Sequence, residues 1–437
     1  MPILRKSWTK QVGEVFNTLP RDGNKKSTVW LERKDLEQYM TYELESPGVS
    51  VCLDGPTGTG KSSLATTILN RMKIPFRLIQ LTKRMAWTDF CYRIIKPPKT
   101  QANSTETSLE IGMNRGLPTA LLKIVAGDKT NLDDYEIKKR LKDTITEDIV
   151  CELMAKNDVA LLIDDFEKAS NPILERVTGM CKLLTESFVS ENGKVVIVGT
   201  DDIYSRITQE DISLEDRLTQ ISIGTFASKL DSWNFMRLGF EKLKLENPVS
   251  LCNKGFISKD DLSDCVNAVY EAADGLPKRL NVLGRDIARN ASYKRRRISV
   301  SDVIQTANKV PTKDIKKYSS EYPMIMQAAK DPIVSLILKY LYQKGVGQIH
   351  KLGDIIESLK DSTNEKQVRH GIGVLISLNF LTQTGYNKDV LFVRNPAFAH
   401  TIGVVIASPE KYNAPKQLTK NNCQLSLPFY CELGDKR

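Results

Sequence analysis

Between Val51 and Leu69 the chain reads VCLDGPTGTGKSSLATTIL, in which three glycines, a lysine and two serines separate a short apolar run from a helix-forming one. Glycines at 55, 58 and 60 open backbone conformations closed to other residues, so successive amide N–H groups can turn inward around an anion. Lys61 follows where it can reach the outer phosphates of a phosphate chain, and Ser62 offers a hydroxyl to Mg²⁺. The helix that starts there points the positive end of its dipole at the same place. Gly55, four residues, then Gly60-Lys61-Ser62 is the full P-loop spacing, with a strand before it and a helix after. It assigns Gly55, Pro56, Thr57, Gly58, Thr59, Gly60, Lys61, Ser62 and Ser63 to phosphate binding. A turn that only capped a helix would have no use for a lysine and a hydroxyl at those positions.

About a hundred residues downstream, DVALLIDDFEKAS runs through consecutive apolar residues from Val159 to Ile163 and ends on Asp164-Asp165, as a central buried strand presents its carboxyl end. Asp164 is the carboxylate expected to hold Mg²⁺ opposite Ser62, generally through water. Asp165 is placed to polarise an attacking water, with Glu167 in reserve. The plain alternative is that the paired carboxylates cap the helix that follows.

These groups need a scaffold, and the chain supplies one. Its 437 residues are enough for two to four domains, and 41% hydrophobic with 27% charged residues is ordinary globular composition. Lys and Arg number 63 against 53 Asp and Glu, a net +10 that favours polyanionic partners. Eight cysteines (52, 91, 151, 181, 252, 265, 423, 431) make no CxxC pair and sit mostly in apolar segments, so they read as reduced core residues. Histidines occur only at 350, 370 and 400, which argues against histidine-based metal or triad chemistry. The opening MPILRKSWTKQVGEVF has no long apolar core or small-residue cleavage site, and no run approaches the ~18 apolar residues of a membrane span. The expectation is a soluble, cytoplasmic protein with no membrane partner.

Apolar runs at IPFRLIQLT, ALLID, VVIVGTDDI and LTQISIGTF alternate with helical patterns and point to a parallel α/β sheet. The organisation read from these patterns is an N-terminal arm (1–28), an α/β nucleotide domain (29–227) with an insertion at about 99–130, and a helical lid (228–310). A linker (311–330), a C-terminal domain (331–400) and a tail (401–437) complete it. In the C-terminal domain three helices precede a hairpin around Tyr386 to Lys388, the order of a winged helix-turn-helix. Its third helix would turn Lys366, Gln367, Arg369 and His370 outward, towards DNA or towards a protein partner. The basic run KRRR from Lys294 is a second candidate for phosphate contact, or a solvated face.

Taken in order, the P-loop, LLIDDFE, VIVGT, an arginine ahead of a last strand and GLPKRL in a helical region resemble the AAA+ ATPases. With the terminal winged helix the sequence is most similar to their origin-recognition-like branch and its bacterial signalling and defence relatives, over roughly Trp30 to Pro396. The resemblance implies an α/β P-loop AAA+ parallel sheet with a helical lid and a C-terminal winged helix-turn-helix domain, using ATP and Mg²⁺. It implies that Thr200 is the polar sensor near the γ-phosphate, and that Arg217, in SLEDRLTQISI, is an arginine finger reaching a neighbouring subunit. Lys278 or Arg279 would be the lid's phosphate sensor, and residues around WLERKD would line the adenine pocket. On the residues alone, Thr200 also reads as a strand terminus, Arg217 as a surface ion-pair member, and Lys278-Arg279 as a solvated helix start. The sequence departs from the pattern in having Asp165 where glutamate is usual, which implies slow or trigger-dependent turnover.

The function so implied is an ATP-binding and hydrolysing switch that assembles with itself and acts on or senses nucleic acid, in phage defence or mobile-element control. A transposition-regulator ATPase, or an ATP-gated DNA- or protein-binding regulator with little hydrolysis, is the alternative. No guanine-reading NKxD element is evident, which agrees with adenine.

Overall fold

The computed structural model describes residues 2–18, 29–95, 145–200, 203–226, 228–291, 297–347, 350–383 and 389–407. The expected insertion at 99–130, most of the basic run from Lys294, the turn at Tyr386 to Lys388 and the tail beyond 407 lie outside the described residues.

After α1 (Pro2–Val15) and α2 (Lys34–Glu45) come β1 (Ser50–Asp54), α3 (Lys61–Arg71), β2 (Phe76–Gln80) and α4 (Trp87–Ile95). Next are α5 (Glu147–Asn157), β3 (Ala160–Asp164), α6 (Asn171–Glu186), β4 (Val195–Val198), α7 (Ile203–Glu210) and β5 (Leu218–Ser222). The five strands form one parallel sheet in the order β2-β3-β4-β1-β5. Every position of β1, β3 and β4 is buried, because helices cover both faces of a parallel sheet, and their sequences are accordingly near-continuous apolar runs. β2 and β5, at the edges, mix buried and partly exposed residues. On one face Met40 and Leu44 of α2 and Leu64 and Ile68 of α3 pack on Leu53, Leu162 and Val198. On the other, Phe90, Leu153, Val177 and Leu184 close over Cys52, Leu161 and Ile197. The six described cysteines are all free thiols, and burial pushes Cys91 well above the ordinary thiol range and Cys181 to about 12.

The lid is α8 (Lys229–Lys242), α9 (Pro248–Asn253), α10 (Lys259–Ala273), α11 (Pro277–Asn290) and α12 (Val300–Asn308), around Trp233, Phe240, Val269 and Leu283. Serine and asparagine caps start four of these helices: Ser228 accepts from the Asp231 N–H, and Asn247, Ser258 and Ser299 each close a capping box. The N-terminal arm is part of this lid. Phe16, fully buried just after α1, lies against Gly239 of α8 and Gly284 of α11, where an added Cβ would come within 2.2 and 2.3 Å of its ring. Only glycine leaves room there.

The stretch expected as a linker is folded into α13 (Val310–Lys317) and α14 (Tyr322–Ala328). Its two prolines sit in the first turns, where no N–H is needed, and Ile315, Tyr322 and Ile325 enter the C-terminal core. Beyond them lie α15 (Pro332–Lys344), β6 (His350–Lys351), α16 (Leu352–Leu359), α17 (Glu365–Ser377), β7 (Leu381–Gln383), β8 (Val390–Val393) and α18 (Pro396–Ala407). The three short strands are antiparallel in the order β6-β8-β7. Among the described residues, no helix is long and apolar enough to cross a membrane.

Candidate functional site

Three loops meet at the carboxyl ends of neighbouring strands: the P-loop after β1, Asp164 at the end of β3, and Gly199-Thr200 after β4, which runs between them. This is where parallel sheets bind ligands. The loop's shape depends on its glycines. At Gly55 φ is +131°, and a Cβ would fall 2.3 Å from the Ile223 carbonyl oxygen, so the first turn of the loop excludes any side chain. Gly58 has φ of +94°, and its missing Cβ leaves space for the Lys278 side chain. Gly60, also at positive φ, is the N-cap of α3.

Lys61 is buried, and its Nζ donates to the carbonyl oxygens of Gly55 at 2.7 Å and Pro56 at 2.8 Å. Thr59 Oγ1 donates to the Pro56 carbonyl at 3.0 Å, while Thr57 is exposed at the tip. Ser62 Oγ donates to Asp164 Oδ1 at 2.8 Å, across 102 residues of sequence. Burial raises the Asp164 carboxyl above the ordinary range, against the hydrogen bond from Ser62. A buried carboxylate beside a hydroxyl gains from a cation. These two oxygens suit Mg²⁺, which takes one or two protein ligands and fills its remaining positions with water and phosphate oxygens. Among the described residues there is no cluster of three or more His, Cys, Asp or Glu to hold a metal by itself.

The two carboxylates after Asp164 are treated differently by the fold. Asp165 sits at φ +60°, accepts from Gln80 Nε2 at 2.9 Å and pairs with Lys168 Nζ at 2.6 Å. Glu167, in the middle of a short 3₁₀ turn, is drawn inward beside Gly199. Its Oε2 is buried without a partner, beside Gly199, and burial raises its affinity for a proton. The reserve position thus holds the desolvated carboxylate, and the favoured one is occupied by ion pairing.

The lid's adjacent basic residues also part ways. Lys278 donates its backbone N–H to the Gly58 carbonyl at 3.2 Å and lays its exposed side chain along the P-loop. Arg279 is turned away from the loop. Its guanidinium is buried in a pair with Asp314 of α13 and a hydrogen bond to Thr401 of α18, pointed into the junction with the C-terminal unit. Neighbouring helical residues project about 100° apart, so only one can face the loop.

Arg217 lies just before β5, paired with Glu186 at 2.7 Å and partly exposed. β1 and β5 are in register from Ser50–Leu218 to Asp54–Ser222, which puts Arg217 at the opposite end of the sheet from the P-loop, roughly 20 Å away along the strand. It cannot reach the phosphate site of its own chain.

Arg33 belongs to the WLERKD stretch expected to line the adenine pocket, and the structure adds a contact to the P-loop that the sequence does not mark. Its guanidinium donates to the carbonyls of Thr59 and Gly224, each at 2.9 Å, and lies 4.6 Å from the Phe226 ring centre, joining the P-loop to the strand that leads into the lid. Burial lowers its pKa to about 10, with Glu37 opposing. Glu37 orders the same segment, accepting from Trp30 Nε1 at 3.1 Å and Arg33 N at 3.0 Å and pairing with Arg71 at 2.7 Å. Trp30, Leu31 and Arg33 line a cleft with Thr59, Gly60, Phe226, Pro277 and Asn281, between the P-loop and the lid.

Residues 50–182, which hold both nucleotide motifs, match the family model of the AAA domain (dynein-related subfamily). The α/β fold with its five-stranded parallel sheet is that of the AAA-type P-loop ATPases. No curated protein matches the sequence. Among solved structures, the Walker-type ATPase of Pyrococcus abyssi is similar at 15% identity, over 89% of this chain and 99% of that one, with a TM-score of 0.46. The Thermotoga maritima RuvB Holliday junction branch migration motor is similar at 12% identity, over 85% and 94%, with a TM-score of 0.41. The Aeropyrum pernix ORC2 protein (ADP form) is similar at 13% identity, over 89% and 93%, with a TM-score of 0.41.

Proposed function

We propose that the protein is an ATP-hydrolysing switch that works as an assembly of its own copies and acts on nucleic acid. The observation that carries the catalytic half is the P-loop with Lys61 buried beneath it and Ser62 Oγ held 2.8 Å from Asp164. A triphosphate entering the loop takes Lys61 from the Gly55 and Pro56 carbonyls, replacing neutral acceptors by charged ones. Ser62 and Asp164 would hold Mg²⁺, which would supply positive charge to offset that of the phosphates. The adenine lies in the cleft beside Trp30 and Arg33.

Glu167, rather than Asp165, is the base that orients and deprotonates the attacking water. It is the carboxylate with a desolvated, unpartnered oxygen, and it lies beside Gly199 at the end of the strand that carries Thr200. Lys278 reports the γ-phosphate to the lid. Arg217 leaves Glu186 to complete the site of a neighbouring copy, which makes turnover depend on assembly. The C-terminal unit, running helix, strand, two helices, two strands, has the element order of a winged helix. Hydrolysis of ATP by the wild type and its loss in Lys61→Ala, with the fold intact by circular dichroism, is the test; equal turnover in both would reject the site.

A further inference from the structure

The charge that makes this chain basic is concentrated. Residues 277–318 carry twelve Lys and Arg against three Asp, a net +9 of the chain's +10. This stretch is the second half of the lid with the first helix of the C-terminal unit. α11 buries Leu280, Leu283, Gly284, Ile287 and Ala288. Away from that face Lys278, Arg285 and Arg289 recur at helical spacing, forming one stripe along the axis. α13 does the same with Lys309, Lys313, Lys316 and Lys317, all exposed, while Pro311 and Ile315 face inward. Lys313 Nζ pairs with Asp286 Oδ2 at 2.8 Å, which sets the two helices side by side.

None of the three carboxylates neutralises the rest. Asp286 is taken by Lys313, Asp314 is buried with Arg279, and Asp302 closes the capping box of α12 with Ser299. Lys278, Arg285, Arg289, Lys309, Lys316 and Lys317 have no ion pair among the described residues. Such crowding of like charge raises the energy of the free protein and is relieved by a polyanion.

The helix-turn-helix face of the C-terminal unit offers no such field. Residues 352–377 carry three basic and four acidic side chains. Arg369 is paired with Glu365 at 2.7 Å, Lys360 with Glu357, and Gln367 is spent on the capping box with Asn364.

We propose that the basic stripes of α11 and α13 form a docking surface for the phosphate backbone of duplex DNA. The inference rests on the nucleic-acid half of the function proposed above and assigns it to the lid. Duplex is favoured over single strand because the cations follow two adjacent helices as rows of lysine and arginine suited to a regular run of phosphates, with Tyr318 half-buried under Lys317 at the edge. Lysine-rich surfaces of this kind grip phosphates without reading bases, so binding is sequence-independent and falls steeply with salt.

The test is fluorescence anisotropy of the full chain with a labelled random duplex of about 30 base pairs across a salt series. The variant Arg289→Ala/Lys309→Ala/Lys316→Ala/Lys317→Ala is expected to bind roughly 100-fold more weakly and to lower the salt slope by about 3 to 4, at ~0.9 for each phosphate left without its cation. Replacing the three lysines by arginine restores binding, and Lys366→Ala/Arg369→Ala binds as the wild type. Unchanged binding in the four-site variant, or weakened binding in the α17 variant instead, overturns the lid surface and leaves DNA binding standing. Tighter binding of single strands or of an RNA duplex by the wild type overturns the choice of DNA. A wild type that takes up MgATP yet binds no duplex overturns both the surface and the nucleic-acid half of the function, with the ATPase intact.

Discussion

Replacing Glu167 by glutamine separates the two carboxylates that follow Asp164. Glutamine keeps the volume and polarity of the buried side chain, so it removes chiefly the capacity to take a proton. A positioned general base contributes about 10²- to 10⁴-fold, or about 3–5 kcal/mol of barrier. Single-turnover hydrolysis should fall by that factor while MgATP affinity stays within about threefold, because the base touches water and not the phosphate cradle. The fold should lose nothing at neutral pH, since burial disfavours the ionised carboxylate and glutamine removes that cost. In Asp165→Asn an ion pair between partly exposed side chains is removed, worth at most about 1 kcal/mol, and turnover should change by less than about tenfold. The pH profile gives a second readout. With the Glu167 carboxyl raised by burial, wild-type turnover is full above that pKa and falls as pH drops through it, on a limb above the ordinary carboxylate range, and Glu167→Gln lacks the limb. An inactive Asp165→Asn beside an active Glu167→Gln would refute the reasoning.

Arg217→Ala should bind MgATP normally and lose at least ~10³-fold in turnover. Mixing it with Lys61→Ala, each inactive alone, should recover part of the activity, because one supplies the nucleotide site and the other the arginine; no recovery at any ratio would place Arg217 outside the site. At the lid junction, burial raises Asp274 to about 7 and, with Arg279 nearby, lowers the neighbouring His400 to about 3. The Asp274 contribution is full below about pH 4 and is lost as pH rises through 7. That of His400 is full above about 6.5 and is lost as pH falls towards 3. Between pH 4 and 6.5 the two oppose each other. Asp274→Asn, whose side chain tolerates the left-handed backbone, should leave unfolding free energy climbing with pH by at most about 1.4 kcal/mol per unit over that interval. A flat urea-denaturation profile in the variant would show that His400 is not the opposing group.

The nucleotide half of the site is legible in the sequence because its signals are local. A P-loop needs particular residue types at fixed spacing, and strands buried on both faces read as apolar runs ending where the chemistry begins. What is illegible depends on tertiary packing that residue type does not encode. Arg33 bonds to the backbone carbonyls of Thr59 and Gly224, and no side chain in the sequence marks those acceptors. Lys278 and Arg279 are equivalent on paper, and only the packing of α11 between the P-loop and α13 tells them apart. Asp165 stands in the expected place, but a left-handed turn and Lys168 three residues on pair it at the rim while Glu167 turns in beside Gly199. The arm reads as separate in sequence because what joins it to the lid is a phenylalanine fitted against two glycines far along the chain.

Isothermal titration of MgATP into the wild type, Lys61→Ala and Asp164→Asn tests the central claim most directly. The wild type should take up MgATP at one site per chain. Lys61→Ala should show no measurable uptake, and Asp164→Asn uptake that no longer responds to magnesium. Equal affinity in all three proteins, or no uptake by the folded wild type, would contradict the claim.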